Sequence, residues 1–319
     1  MAQAGFFVRA MRVGAEVIGR VDAGDPAVQA ELYAEWLKHG VLLFHGIDSV
    51  ERHLEVSRLF GELEIHPFVP ARSDVHELLI DIGGPKRRRA FVYDERDVRV
   101  NRIPWHRDTA YTRDICKGAM LRMIQVPRQL GETRLCDTAM AYDDLPRDMQ
   151  QKLEGLEYHA TLRNHPVNQA RAGAFWKKAR PATPEEDPLG ADKEPPSEIE
   201  DHGWPSVIQP ALLTHPESGR KCIFLSPTYV DYFLGIEPKE SQELLEYLVD
   251  HMLQPKYVYE HKWALNDAIV WDNRRFMHAS GGNLPGDTRY GLRTTLAGPT
   301  RTGRYLDEAV DSGATLLAD

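Results

Sequence analysis

The feature of the sequence that most constrains its fold is a succession of short apolar runs from residue 77 onward, each bounded by turn-forming residues. These runs read ELLIDIGG, RAFVYD, GAMLRMIQVP, KCIFLSP, AIVWDN and YGLRTTLAG. Runs of this length that are rich in β-branched and aromatic residues are typical of strands. The sequence contains no Gly-rich phosphate loop of the Rossmann or P-loop type. The pattern therefore predicts an α+β, mostly β fold built on antiparallel sheets, either a barrel or a two-sheet jelly roll.

Helical patterns precede and interrupt these strands. Asp25 is placed to cap a first helix that has Pro26 at its first position and ends at Gly40. The stretch SVERHLEVSRLFGEL has the apolar spacing of a second helix. Two further helices are predicted over Tyr142–Leu156 and Glu237–Leu253. We expect these helices to flank the sheets.

One segment differs in kind from the rest of the chain. Residues 180–205, RPATPEEDPLGADKEPPSEIEDHGWP, are rich in proline and acidic residues and nearly free of aliphatic ones, so they add little to a core. They are interpreted as an insertion in a single domain that spans residues 1–319. A disordered surface loop and a mobile active-site lid are both compatible with this composition.

Charge and cysteine usage restrict the partners and the compartment. The net charge of −9 argues against a nucleic-acid or anionic-membrane partner, so an acidic substrate needs a local cluster of Arg and His. No window approaches 18 uninterrupted apolar residues, which predicts no membrane span. The three cysteines, Cys116, Cys136 and Cys222, are odd in number and widely spaced, as expected for free buried thiols in a reducing cytoplasm. A homo-oligomer is compatible with these features.

The stretch PWHRDTAY raises the question of a metal site. His106 and Asp108 are two residues apart, so both side chains point to one face only if the stretch is extended. His-x-Asp by itself is weak evidence, and an exposed polar pair is the alternative. Among thirteen histidines, His278 is the best-placed third ligand, because it follows a buried strand and a polar turn, DAIVWDNRRFM.

Two arginines downstream of His278 suggest what else such a site would hold. Arg289 and Arg293 are four residues apart and share one face of the strand RYGLRTTLAG, while Leu292 and Leu296 take the core-facing side. Buried guanidinium groups need an anionic partner, and Arg holds a carboxylate through two parallel hydrogen bonds. Two histidines and one carboxylate are the ligand set of non-haem Fe(II) oxygenases, and the two arginines would add a carboxylate clamp beside it.

Nearly the whole chain resembles a known family. The matching stretches include GAEVIGRVDAGD, HGVLLFHGI, SRLFGELEIHP, WHRDTAY, GETRLCDTAMAYDDLP, LLTHPESGRKCIFLSP, DAIVWDNRRFMHAS and RYGLRTTLAG. Together they are similar to the Fe(II)/2-oxoglutarate-dependent dioxygenases of the taurine dioxygenase and 2,4-dichlorophenoxyacetate dioxygenase group. The resemblance implies a double-stranded β-helix (jelly-roll) core with flanking helices.

The resemblance also implies roles for individual residues. The implied iron ligands are His106, Asp108 and His278. Thr133, which follows the first ligand at the family's spacing, is implied to hold the distal carboxylate of 2-oxoglutarate together with Arg289. Arg293 and His66 match positions that hold the anionic group of the substrate in the taurine enzyme.

Some positions depart from the family pattern and bear on the substrate. Arg107 stands between the first two ligands in place of a small residue and is expected to point away from the iron. Val69 stands three residues after His66, where the family has an aromatic residue. The basic tract Lys86–Arg89 is interpreted as a solvated turn, with substrate steering as the alternative. Arg102 and Tyr111 are further candidate substrate contacts, and an exposed arginine and a core tyrosine are the alternatives.

The implied activity is oxidation of a small anionic substrate, a carboxylate, sulfonate or sulfate ester, with Fe(II), 2-oxoglutarate and O₂. Decarboxylation of 2-oxoglutarate to succinate accompanies it. Asp108 favours hydroxylation, because related halogenases have a small residue at that position, and hydroxylation beside a heteroatom would cleave the substrate.

Different chemistry on the same residues is also compatible with the sequence. Desaturation or cyclisation would use the same iron site. A non-catalytic jelly roll that binds 2-oxoglutarate is a competing interpretation, and so is a metal-dependent isomerase or hydrolase. The substrate, the site of oxidation and the oligomeric state are left open.

Overall fold

The computed structural model describes residues 5–164, 171, 179–193, 200–201, 203–298 and 300–306. Helices and strands in this part of the chain agree with the mostly β composition predicted from the apolar runs. The described α-helices are α1 (Pro26–His39), α2 (Val50–Arg58), α3 (Thr138–Asp143), α4 (Arg147–Leu153) and α5 (Pro238–Met252).

The largest sheet has eight strands, of which six follow one another side by side. In spatial order these are β1 (Phe6–Ala10), β2 (Ala15–Gly19), β3 (Val41–Phe44), β21 (Ala268–Asp272), β10 (Gly118–Gln125) and β23 (Tyr290–Leu296). The last of them also pairs with β4 (Leu63–Glu64) and β5 (Leu79–Gly83). All these pairings are antiparallel except the one between β2 and β3, as predicted for the sheets of this chain.

A second sheet of four strands carries most of the candidate metal ligands. Its order is β20 (Val258–His261), β11 (Thr133–Asp137), β22 (Phe276–Ser280) and β8 (Ile103–His106). Every pairing in it is antiparallel.

Strict alternation along the central strands lets the large sheet bury both faces. On β10, for example, Leu121 packs into a cluster that also contains Leu135 and Phe276 of the second sheet. Its neighbour Met120 packs on the opposite face against the helices. The two sheets therefore face each other across one shared apolar layer.

Helix α1 covers the outer face of the large sheet and forms where the sequence predicts it. Asp25 caps it by accepting a hydrogen bond from the Ala27 N–H at 2.8 Å. Gly40 ends it in the left-handed conformation at φ 73°, where a Cβ would lie 2.3 Å from the Phe276 ring. Trp36, fully buried, anchors the helix in the core.

A third sheet and several short pairings complete the described structure. The third sheet is β19 (Val230–Phe233), β12 (Glu157–Ala160), β16 (Val207–Pro210) and β25 (Arg304–Tyr305), and α5 packs against it. The shorter pairings join β14 (Ala179–Pro181) with β6 (Phe91–Tyr93) and β7 (Asp97–Arg99), β13 (Arg163–Asn164) with β15 (Glu200–Asp201), β17 (Leu212–Thr214) with β18 (Lys221–Ile223), and β9 (Asp114–Ile115) with β24 (Thr300–Arg301).

One predicted helix is wrong in its bounds. The sequence pattern over Tyr142–Leu156 forms two short helices, α3 and α4, that are separated by Pro146. Proline cannot continue a helix because it lacks an N–H and its ring clashes with the preceding turn. Asp137 starts α3 earlier than predicted by accepting hydrogen bonds from the N–H groups of Ala139 and Met140.

The acidic segment is only partly within the described residues. Residues 194–199 and 202 lie outside them, so the choice between a lid and a loose loop stays a prediction. In the described part, β14 pairs with β6, and Asp187 is fully buried, with its carboxylate accepting a hydrogen bond from the Ala90 N–H at 2.9 Å.

Two smaller expectations concern membranes and thiols. None of the described helices combines the length and apolar character that crossing a bilayer requires. Cys116, Cys136 and Cys222 are buried and free, as predicted.

Candidate active site

Strand register brings the two candidate histidine ligands together. His106 is the last residue of β8, and His278 lies directly opposite it on β22. Their ring centroids are 4.2 Å apart, and both side chains are buried. The Nδ1 atom of His106 lies 2.7 Å from the Pro104 carbonyl oxygen. Because a carbonyl can only accept, Nδ1 carries the proton and Nε2 is left with a free lone pair for a metal.

Asp108 completes the cluster from a turn rather than from the strand. The expectation of an extended backbone through residue 108 is wrong, since β8 ends at His106 and a turn follows in which Thr109 has φ 56°. The Asp108 carboxylate oxygens lie 3.7 Å from His106 Nε2 and 3.8 Å from His278 Nε2. One ligand atom from each of the three residues lies within 4.8 Å of the others. Within the described ranges this is the only such group of three or more.

Two buried side chains hold this turn in place. The amide of Asn273 bonds to the backbone N–H and carbonyl of Asp108, both at 2.9 Å. Arg107 points away from the cluster, as expected, and is fully buried. Its guanidinium donates to the carbonyl oxygens of Asn273, Phe276 and Ile223. The turn between β21 and β22 is thereby tied to the one after β8.

The electrostatics of the cluster favour an ionised Asp108 carboxylate beside a neutral His278. Burial raises the pKa of Asp108, but Arg293, with Nη1 at 3.1 Å from Oδ1, and the two histidines outweigh burial and lower the pKa. Burial, followed by the nearby His106, lowers the pKa of His278 well below its usual value. An anionic oxygen and neutral imidazole nitrogens are the donor forms that bind divalent metals.

A narrow cavity leads from the histidines to Arg289. It encloses about 60 Å³ and is lined by His106, His278, Thr133 and Arg289 among others. Arg289 is buried, donates from Nε to the Gly131 carbonyl and from Nη2 to the Thr133 hydroxyl, and leaves Nη1 buried without a hydrogen-bond partner among the described residues. Burial lowers its pKa to about 10, so it stays charged at neutral pH.

A larger cavity of about 790 Å³ borders the cluster at His106 and Asp108. His66, Arg102, Tyr111 and Arg293, the four predicted substrate-binding residues, all line it. Tyr111 is also a buried core residue, with its ring edge-on to Tyr229 at 5.2 Å. His66 is buried, and burial together with Arg293 lowers its pKa to about 4, so it is neutral. Arg102 stacks on the Tyr93 ring at 3.9 Å.

Val69 and the tract Lys86–Arg89, which depart from the family pattern, lie differently with respect to the large cavity. Val69 is exposed and does not line the large cavity, whereas the neighbouring Phe68 does. The tract Lys86–Arg89 lines the cavity along its whole length, with Lys86 and Arg88 exposed, so the solvated turn and substrate steering both stay predictions. Arg87 pairs with Asp187, so the tract is held by the acidic segment.

Sequence reasoning misses several residues that shape the site. The sequence places Asn273 only in a polar turn, although an amide between two buried strands is a signal for backbone hydrogen bonding. Trp263, whose indole N–H donates to the Thr133 hydroxyl at 3.1 Å, has no signal beyond its aromatic character. Tyr229 lines the large cavity beside Tyr111.

The residues present fit a bound Fe(II) and 2-oxoglutarate. Asp108 Oδ2, in the His–Asp–His cluster, and Arg289 Nη1, in the wall of the narrow cavity, are buried without hydrogen-bond partners in the described part of the chain. The first is an anionic oxygen of the kind that binds a divalent metal. The second is a charged hydrogen-bond donor of the kind that binds a carboxylate.

A buried His–Asp–His cluster in a mostly β fold, open to a cavity, is an arrangement that could hold one metal ion, in the manner of the two-histidine, one-carboxylate class. The family model described as Taurine catabolism dioxygenase TauD, TfdA family matches residues 8–295, and the chain belongs to this family. It is an Fe(II)/2-oxoglutarate-dependent dioxygenase, with Fe(II), 2-oxoglutarate and O₂ as cofactors and co-substrates. The family predicted from the sequence is confirmed.

Curated relatives and solved structures agree with this assignment. The chain is 30% identical over 255 residues to (S)-phenoxypropionate/alpha-ketoglutarate-dioxygenase of Sphingobium herbicidovorans, covering 80% of each chain. It is 30% identical over 277 residues to alpha-ketoglutarate-dependent 2,4-dichlorophenoxyacetate dioxygenase of Burkholderia sp. strain RASC, covering 82% and 84%. The crystal structure of a taurine dioxygenase from Burkholderia xenovorans shares the fold, with a TM-score of 0.67, 23% identity and coverage of 95% of both chains.

Proposed function

We propose that this dioxygenase hydroxylates a small anionic organic substrate, coupled to conversion of 2-oxoglutarate to succinate and CO₂. The observation that carries the proposal is the position of Arg293. Its guanidinium is buried beside Asp108 and lines both the narrow and the large cavity. Its Nε and Nη2 atoms are buried without hydrogen-bond partners among the described residues. A substrate anion would supply those partners within reach of the metal cluster.

In this proposal His106, Asp108 and His278 hold Fe(II). With 2-oxoglutarate and O₂, the metal supplies the oxidising power that replaces a C–H bond by C–OH. The protein contributes orientation: the Pro104 carbonyl fixes the tautomer of His106, and Asn273 fixes the backbone of Asp108. Both supports act before any substrate binds.

Thr133 and Arg289 hold the distal carboxylate of 2-oxoglutarate. The Thr133 oxygen already accepts hydrogen bonds from Arg289 and from Trp263, so its own proton is left to donate to an anion. The unpartnered Nη1 of Arg289 adds a charged donor at the same place. Together they form a fork suited to one carboxylate.

His66 and Arg293 hold the anionic group of the substrate in the large cavity. The Nδ1 of His66 accepts a hydrogen bond from the Phe68 N–H at 3.1 Å, so the neutral ring carries its proton on Nε2 and donates from there. Tyr111 and Arg102 form part of the surrounding wall. The carboxylates in the names of the two phenoxyalkanoate-acting relatives support a carboxylate at this place.

We also infer that residues 1–319 form one domain whose two facing sheets are the double-stranded β-helix core of the family. The shared apolar layer between the large and the second sheet supports this arrangement. The metal ligands then lie at one end of a closed sandwich, as water exclusion from the site requires.

The test is succinate formation by the wild type and by His278→Ala, after anaerobic loading with Fe(II) and 2-oxoglutarate and then exposure to air. The substrate panel contains carboxylates, sulfonates and sulfate esters, each with an uncharged analogue. We expect succinate to rise with an anionic class and to stay at background in the variant. Equal turnover of uncharged analogues, or succinate from wild type and variant alike, would contradict the proposal.

A further inference from the structure

The wall of the large cavity carries a concentration of positive charge that the proposed chemistry does not use. Among the described residues that line it, nine are Lys or Arg and two, Asp81 and Asp108, are acidic. Arg293 is the one that contacts Asp108, which leaves eight cations farther from the metal cluster. The whole chain has a net charge of −9, so the charge of this wall is opposite in sign to that of the chain.

The tract Lys86–Arg89 forms the largest block of this charge, and it is fixed in place. Asp187, fully buried, pairs with Arg87 and accepts the N–H of Ala90. Arg89 donates to the carbonyl oxygens of residues 190 and 191. A solvated turn has no need of such support. Pre-organised cations of this kind bind an anion without the entropy cost of ordering long side chains.

Carboxylates pair with three cations of this wall: Asp187 with Arg87, Asp97 with Arg99, and Asp192 with Lys193. The Nη1 of Arg87 is buried and has no hydrogen-bond partner among the residues that the structure describes. Asp81 accepts a hydrogen bond from the Tyr290 hydroxyl, and among the described residues it is the only acidic one lining this part of the cavity. Like charges held together repel one another, and an anion of several charges bound beside the tract would relieve that repulsion.

We propose that the substrate carries, besides the anionic group beside the metal, a second anionic group of the phosphate type that binds the tract Lys86–Arg89. This rests on the proposed function, which assigns the first anion to Arg293 and His66. A phosphate offers two charges and several acceptor oxygens, which suits a group of guanidinium forks better than one carboxylate does. A cavity of about 790 Å³ holds a molecule with anions at both ends and an apolar body between Phe68, Phe91 and Tyr93.

Titration calorimetry on the full chain, loaded with Mn(II) and 2-oxoglutarate without O₂, tests this directly. The probes are phenoxyacetate, 4-(phosphonooxy)phenoxyacetate, 4-carboxyphenoxyacetate, phenyl phosphate and inorganic phosphate. We expect the phosphonooxy compound to bind at least tenfold tighter than phenoxyacetate at low salt, with the gain shrinking as salt rises. The 4-carboxy compound should recover only a small part of the gain.

The double variant Lys86→Ser/Arg88→Ala changes two exposed positions of the tract and leaves the Arg87–Asp187 pair intact. It should lose most of the affinity that the phosphonooxy group adds, and its affinity for phenoxyacetate should stay within twofold of the wild type. Arg96→Ala is the matched control, since Arg96 is exposed in the turn between β6 and β7 and does not line the cavity. It should retain the full gain.

The outcomes separate the two proposals. Phenyl phosphate reports on the tract without the carboxylate, so it still binds if the assignment of Arg293 and His66 fails. No affinity gain from the phosphate, a gain that survives the double variant, or equal binding of the 4-carboxy compound would each overturn the inference. Equal binding of inorganic phosphate and phenyl phosphate would also overturn it, because the tract would then hold a free ion and no part of a substrate.

Discussion

Asn273 holds the backbone of Asp108 from both sides: its Oδ1 accepts the Asp108 N–H and its Nδ2 donates to the Asp108 carbonyl, each at 2.9 Å. The two residues lie 165 positions apart in the chain. Asp108 lies in a turn after the end of β8, and its own N–H and carbonyl do not pair with a neighbouring strand. The amide thus stands in for a strand and sets where the carboxylate can reach.

Replacing this amide should weaken the metal site more than it weakens the fold. For Asn273→Ala we expect about a tenfold loss of Mn(II) affinity, because the support of a metal ligand is lost. The free energy of unfolding should fall by about 2 kcal/mol, since buried backbone groups lose their partners. Calorimetry with Mn(II) and urea denaturation measure the two effects. Unchanged Mn(II) affinity in a folded variant would contradict the positioning role.

Arg289 and Thr133 should control the affinity for 2-oxoglutarate. Arg289→Gln removes the charged fork and should raise the KM for 2-oxoglutarate by about a hundredfold, while Arg289→Lys keeps the charge and should be intermediate. Thr133→Val loses the hydroxyl and should raise the same KM by about tenfold, whereas Thr133→Ser should stay near wild type. Initial rates at varied 2-oxoglutarate check this. An effect on the organic substrate's KM alone would speak against the assignment.

His53 should make stability depend on pH below neutrality. Burial lowers its folded-state pKa from 6.5 to about 4. The unfolded state therefore binds more protons between these values, and the free energy of unfolding should fall as the pH drops from 6.5 to 4, by up to ~3 kcal/mol from this group. It is buried against the Met120 carbonyl, away from the cavity. Urea denaturation at several pH values should give a shallower slope for His53→Gln, and an identical slope would contradict the assignment.

Arg107 should be important for stability although it makes no contact with the metal cluster. It is fully buried and donates to three backbone carbonyls and to the Thr138 hydroxyl. Arg107→Met should reduce the free energy of unfolding by about 3 kcal/mol or more, because several buried acceptors lose their donor. Arg304→Ala, which breaks an exposed ion pair with Glu157, should cost less than about 1 kcal/mol. Equal losses in the two variants would contradict the prediction.

Local patterns were sufficient for the elements that depend on neighbours in the chain. The cap at Asp25 and the glycine at position 40 predict α1, because capping acts over a few residues. Alternation predicts that Arg289 and Arg293 share a face, because side chains along a strand alternate by geometry. The same reasoning failed at Asp108, where a turn held by a distant amide replaces the expected strand.

The sequence by itself determined which chemistry the chain can perform: the ligand types, their spacing around His106 and Asp108, the family they resemble and the apolar alternation of the strands. The tertiary structure alone decided the rest. Register between β8 and β22 places His278 opposite His106, and packing of the segment after β14 on residues 87–90 turns a basic tract into a cavity wall. These relationships join residues far apart in the chain, and local patterns do not specify register or packing over such separations.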